Sequence, residues 1–308
     1  MHMADALVSP AVGGVMTVVS TGILGYSLYC IRRENDNGTA SLAGVLGAFV
    51  FAAQMINFTI PATGSSGHLG GALLLTVLLK PFRAFTVMAA ILLLQALLFA
   101  DGGLLAYGCN VFNMAFFACF IAYPLIFKPL TAKGFNKKRL MTASILSALA
   151  GVELGAFGVV AETFLSGVTQ LPFSVFAALM LPIHLAIGLV EGITTGLILA
   201  FLYQYRPELF AENGRDAEPQ ACFGLGLAAL IIGGALSLTA SELPDGLEWS
   251  ILKTAGESFE LPASLQAVFA DYNIADSTAL AGIAGVVITA VFIFALIRIT
   301  GRKKAQSA

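Results

Sequence analysis

Charge is scarce in this sequence. Of its 308 residues, 58% are hydrophobic and only 11% are Asp, Glu, Lys or Arg, against about 25% charged in soluble domains. A chain this poor in charge cannot cover a water-facing surface, which excludes an ordinary soluble fold. The net charge of −2 gives no reason to expect a nucleic-acid partner. There are four cysteines and no C-x-x-C pair, so neither a Cys-rich metal box nor a disulfide framework is visible. Cys30, Cys109, Cys119 and Cys222 read as small buried hydrophobes. No G-x-x-x-x-G-K-[ST] loop is present, so the chain does not hydrolyse ATP through a P-loop. HExxH and G-x-S-x-G are also missing. Any energised step must draw on a partner or an ion gradient. The first ten residues lack the basic start and cleavage pattern of a signal peptide, so Met1 is expected to be the mature N-terminus.

Apolar runs fill the chain instead. A spanning helix needs about 20 mostly apolar residues. Candidate runs fall at 11–31, 42–60, 68–79, 84–100, 111–127, 140–161, 173–203, 222–240 and 279–297. Cytoplasmic loops collect Lys and Arg, and this tests the count. With the N-terminus outside, nine crossings put every basic residue except Lys253 on the inner side. The expected fold is an all-α integral membrane protein with N-terminus outside and C-terminus inside, in a multi-pass arrangement in the bacterial inner membrane. Residues 1–205 form a seven-helix core, 206–220 a polar cytoplasmic linker, and 221–308 a two-helix appendage. The appendage has an outside loop at 242–277 carrying seven acids and one Lys.

The third run is too short to cross alone. Twelve residues rise roughly 18 Å, against a hydrocarbon core of about 30 Å. The preceding 61–67 segment is then at membrane depth, where irregular backbone persists only if buried in protein or lining a wet cavity. His68 is therefore expected inside the bundle, near its outer mouth.

Polar groups within such a bundle are costly and mark candidate sites. The histidines are His2, His68 and His184. A free N-terminal amine followed by His has particular metal chemistry. The amine, the deprotonated residue-2 amide and the His2 imidazole close two fused chelate rings, which places three nitrogens in one plane. Square-planar nitrogen ligation suits Ni(II) or Cu(II), and His68 is placed to supply a fourth nitrogen. The bland alternatives are a loose tail for His2 and a helix start for His68. His184 and Glu191 share a helical face seven residues apart, as a buried pair, a group orienting ligands, or a partner contact. Asn57, Asn110 and Asn113 lie near helix ends, to orient ligands or to cap backbone. The runs Gly22-x-x-Gly25 and Gly226-x-x-Ala229 suit close helix packing, within the chain or against a partner.

Four stretches together resemble the CbiM/NikM substrate-binding components of cobalt and nickel energy-coupling-factor transporters: MHMADALVSP at 1–10, GSSGHLGGAL at 64–73, NVFNM at 110–114, and HLAIGLVEG at 184–192. The PDGLE stretch at 244–248 resembles the small NikN-like companion subunit, so the chain looks like a fusion of the two. The resemblance implies metal ligands at Met1, His2 and His68. It also implies two ATPase subunits and one transmembrane coupling subunit as partners, besides membrane lipid. The transported substrate is then Ni(II) or Co(II), with nickel preferred because of the NikN-like tail. An ion-coupled secondary transporter and an intramembrane enzyme are the competing readings. The former wants repeated halves or paired intramembrane charges, of which Glu153 and Glu191 are the only hint; the latter wants a ligand-plus-base motif, which is missing.

Overall fold

The computed structural model describes residues 1–34, 39–210, 219–256 and 267–301. The middle of the expected linker (211–218), part of the acidic loop (257–266) and the basic tail residues Arg302, Lys303 and Lys304 lie outside the described residues.

Apolar runs become helices wherever nothing interrupts backbone hydrogen bonding, because a helix satisfies every N–H and C=O within its own segment. The order is α1 (Pro10–Glu34), α2 (Thr39–Gln54), α3 (Ala72–Leu79), α4 (Pro81–Leu94), α5 (Tyr107–Val111), α6 (Lys128–Thr131), α7 (Lys137–Ser166), α8 (Phe173–Tyr205), α9 (Pro219–Gly234), α10 (Gly246–Ala255) and α11 (Thr278–Gly301). Among the described residues seven helical stretches are long and apolar enough to span a bilayer, at Pro10–Glu34, Pro81–Phe99, Tyr107–Thr131, Lys137–Ser166, Phe173–Tyr205, Pro219–Thr239 and Thr278–Gly301. The nine expected runs are therefore not nine long helices. Helix α2, at 16 residues, and α3, at 8 residues, are shorter.

The structure corrects the all-α expectation at one point. The second run does not stay helical to residue 60. Strands β1 (Phe58–Ile60) and β2 (Ser65–Gly67) pair antiparallel, through a turn with positive φ at Ala62 and Gly64. Pairing satisfies backbone that would otherwise be orphaned inside the bundle. His68 does not open a helix either. Gly71 holds a left-handed φ of 76°, and a Cβ there would meet Val50 Cγ1 at 2.6 Å. The helix can start only after that bend, at Ala72.

Two stretches adopt wide, π-type helical geometry, Gln95–Phe99 and Phe112–Phe127, the latter around Pro124. Such turns are rare and recur at functional sites. Here they begin at Gln95 and one residue before Asn113, both of which reach the N-terminal segment.

Helices α7 and α8 pack along their lengths because Gly192 faces Ile145 with no room for a Cβ, and Gly188 and Gly196 lie close against Leu149 and Met141, the small-residue packing favoured in membranes. Helices α9 and α11 pack on α2, where Gly44 meets Ala290 and Gly47 meets Ile293. The expected packing of Gly22 and Gly25 is not made within this chain: a Cβ at either would meet nothing within 4 Å.

Candidate metal site

The N-terminal segment is a plug, not a tail. Met3 and Leu7 are fully buried. Asn110 holds Met3 by both backbone groups: Met3 N–H donates to Asn110 Oδ1 at 2.7 Å, and Asn110 Nδ2 donates to Met3 O at 3.1 Å. Gly103 N also donates to Met3 O, at 2.9 Å. Asp5 accepts from Ala106 N at 3.0 Å, and Gly103 has no Cβ because the Asp5 carboxylate fills that space. Residue 3 is thus anchored, and residues 1 and 2 project from it by a fixed length.

The Met1 ammonium donates to His68 Nε2 at 2.9 Å and to Asp245 Oδ2 at 3.1 Å. On the other side of its ring, His68 Nδ1 lies 3.2 Å from Leu69 O. A carbonyl only accepts, so the proton sits on Nδ1 and the Nε2 lone pair faces the amine. His68 is steadied from behind by Glu191, whose two carboxylate oxygens accept from Gly70 N and Gly71 N, each at 3.0 Å. The His2 and His68 rings stack with centroids 5.1 Å apart. His2 Nε2 faces Gln95 Oε1 at 3.2 Å, and His2 Nδ1 faces Asp101 Oδ1 at 3.2 Å. Burial pushes the His2 imidazole below its ordinary value against the pull of Asp101. A metal ligand must shed its proton from the coordinating nitrogen, and this shift favours that form.

The C-terminal unit closes this site. Asp245 caps α10, its Oδ1 accepting from Leu247 N and Glu248 N, both at 2.9 Å. Its Oδ2 is left for the amine. Burial alone would raise the Asp245 carboxyl, but the ammonium, His68 and the Glu248 amide hold it well below the usual carboxylate range. The PDGLE segment clasps the β1–β2 hairpin: Ser66 N donates to Pro244 O at 2.8 Å, and Trp249 Nε1 donates to Thr63 O at 3.0 Å. Tyr272 donates to Asp101 Oδ2 at 2.6 Å.

Of the residues singled out in the sequence, Met1, His2 and His68 come together, and Asn110 and Glu191 position them. Asn113 Nδ2 donates to Glu162 at 2.6 Å and approaches Met3 Sδ at 3.8 Å. Asn57 lines a cavity of about 570 Å³ together with His2, His68, Asp101, Glu242 and Asp245. His184 and Glu191 do not pair with each other, since His184 Nδ1 donates to Met180 O at 2.8 Å. Three groups at the site went unread in the sequence: Gln95, Asp101 and Asp245. Gln95 had a signal, as an amide within an apolar run. Asp245 had one too, inside a recognised motif, but nothing tied it to the N-terminus. Among the described residues no group of three or more His, Cys, Asp or Glu side chains is positioned to hold a metal, so a metal here would need backbone nitrogens.

Residues 2–209 match the family described as CbiM, cobalt uptake substrate-specific transmembrane region, and residues 220–302 match the PDGLE domain. The chain is 31% identical to a protein of Archaeoglobus fulgidus named putative fused nickel transport protein NikMN, over 97% of this chain and 98% of that one. It is 30% identical to the probable fused nickel transport protein LarMN of Lactiplantibacillus plantarum, over 96% of each. A crystal structure of a transition metal transporter, 29% identical, superposes with a TM-score of 0.59 over 67% of this chain and 93% of that chain.

Proposed function

The chain belongs to the CbiM family of metal-uptake membrane proteins, in a form fused to a PDGLE unit, and from that premise we propose that it captures Ni(II) at its own N-terminus. The ligands are the Met1 amine, the His2 amide nitrogen, His2 Nδ1 and His68 Nε2. The observation that carries this reading is the 2.9 Å separation of the amine and His68 Nε2. Metal–nitrogen bonds of about 2.0 Å at right angles set neighbouring nitrogens about 2.8 Å apart, so the two groups already stand as adjacent corners of a square. His2 Nδ1 is the nitrogen that closes the six-membered ring with its own amide. Gln95 Oε1 then accepts the Nε2–H, the outer contact that fixes a metal-bound imidazole. Asp101 stands beside Nδ1 until the ion arrives. Such planar nitrogen sets favour Ni(II), and the nickel names of the fused relatives support the same choice; Co(II) is the second reading.

Capture releases about two protons, one from the ammonium and one from the amide. A dication replaces two protons, so the charge beside Asp245 is unchanged and that carboxylate keeps its role. The PDGLE unit is a cover over the site, and residues 1–205, 206–220 and 221–308 are bundle, linker and cover. The arrangement of Lys and Arg supports an outside N-terminus and an inside C-terminus. Energy comes from two partner ATPase subunits through a transmembrane coupling subunit, and the chain itself is a transporter component, not an enzyme.

The test is a titration of the purified chain, with Met1 intact and unformylated, with Ni(II) and Co(II). A visible square-planar Ni(II) band at one equivalent, lost in His2→Ala, is the expected result. No band with the native terminus would move the site elsewhere.

A further inference from the structure

We propose that Gln54, which reaches His2 only through Gln95, is a positioning residue that decides which His2 nitrogen takes the metal; this rests on the capture site proposed above. Gln54 is the last residue of α2 and is 5% exposed. Its Nε2 donates to Gly70 O at 2.7 Å. Gln95 lies next to it, fully buried, and donates from Nε2 to Gln54 Oε1 at 2.8 Å. The same Gln95 nitrogen donates to the Tyr272 hydroxyl at 3.2 Å. What is left of the Gln95 amide is its oxygen, which faces His2 Nε2 at 3.2 Å. A chain of two amides thus runs from the segment that carries His68 to the ring of His2.

The direction of this chain is forced from both sides. A carbonyl only accepts, so Gly70 O requires the NH₂ of Gln54 and turns the Gln54 oxygen toward Gln95. Gln95 must then present its NH₂ to Gln54. Tyr272 supplies a second lock: its proton goes to Asp101 Oδ2 at 2.6 Å, so its oxygen accepts the other N–H of Gln95. An amide with both N–H groups taken cannot turn over without leaving buried groups unpaired, and buried polar atoms are rarely left so. Gln95 therefore only accepts from His2. With a metal on Nδ1, the proton of the ring is on Nε2, and this oxygen is the partner it needs. A turned Gln95 would set N–H against N–H there. It would favour the ring form with its proton on Nδ1, beside Asp101 Oδ1, and that form offers no lone pair where the chelate ring closes.

The experiment uses the purified full chain with Met1 intact, titrated with Ni(II), and NMR of the nickel-loaded chain with isotope-labelled histidine. Planar Ni(II) is diamagnetic, so the His2 ring nitrogens are observable. Gln54→Leu removes the first lock. Gln54→Glu, as the neutral acid, offers one donor and one acceptor in the same places. The expected affinity is about tenfold lower in Gln54→Leu and within about threefold of wild type in Gln54→Glu. At saturating nickel the His2 Nε2–H should resist exchange with water in the wild type and in Gln54→Glu, and exchange freely in Gln54→Leu. Tyr272→Phe opens the second lock, leaves Gly70 paired, and should shift both readouts the same way; it decides the matter if Gln54→Leu does not fold. Native affinity or a protected Nε2–H in Gln54→Leu overturns the proposal, as do both together in Tyr272→Phe. So does equal loss in Gln54→Leu and Gln54→Glu, which would make the residue a packing element. Absence of the Ni(II) band in the wild type would instead refute the N-terminal site itself.

Discussion

Two cavities share His68 and Asp245 as lining and differ in width and in charge. The vestibule is about 570 Å³ and is lined by Asp101, Glu242, Asp245 and Glu248. The inner cavity is about 40 Å³. Its one acid away from the mouth, Glu191, spends both oxygens on backbone N–H groups. Carboxylates suit the side that must collect a dilute cation, since clustered charge raises local concentration and association rate.

The comparison is broken most severely at the amine. Three residues added before Met1 part the amine from His2, so that the fused chelate rings cannot close, and block the anchored segment. Affinity should fall by more than about a hundredfold, beyond the 10–100-fold usual for outer partners of a metal site. Isothermal titration of the extended chain measures this, and near-native affinity would refute the terminal ligand. Next is Asn110→Ala, which frees Met3 and should cost about tenfold in affinity while the His2 and His68 side chains remain. A smaller effect sharpens the outer side. Glu242→Gln with Glu248→Gln should slow metal association a few-fold at low salt, with the difference shrinking at high salt; stopped-flow traces at two ionic strengths decide, and unchanged rates would remove the collecting role. The smallest concerns Asp245→Asn. Asn caps helices as well as Asp does, and the charge at the amine is the same before and after capture, so affinity should move by less than about threefold. Asp245→Ala also loses the α10 cap and should cost about 1 kcal/mol of stability. Calorimetry in two buffers should report about two protons released.

Much of this was legible in the residues. Segment lengths and bilayer thickness put His68 inside the bundle, because those two quantities do not depend on tertiary detail. The residue-2 imidazole pointed to the proposed chelate because the ring sizes are set by covalent geometry. The ends of the runs at 42–60 and 68–79 were not legible. Hydropathy is the same for apolar strand and apolar helix, and the bend at Gly71 is forced by Val50, which lies 21 residues earlier. Asp245 and Asp101 were illegible for a related reason: each acts across the fold, and an acid in a polar loop gives no sign of the partner it will meet. The glycines of α1 and α8 make the same point, since similar spacing is packed at Gly188, Gly192 and Gly196 and open at Gly22 and Gly25.

The contact of Met1 with Asp245 joins residues 244 positions apart, nearly the first and nearly the last parts of the chain to be synthesised. Completion of the site is therefore a late event in biogenesis. The amine emerges early. It then waits through the insertion of the later helices before α10 arrives to cover it. A chain stalled before residue 245 would carry the amine and both imidazoles with no cover over them, open to any metal in the surroundings.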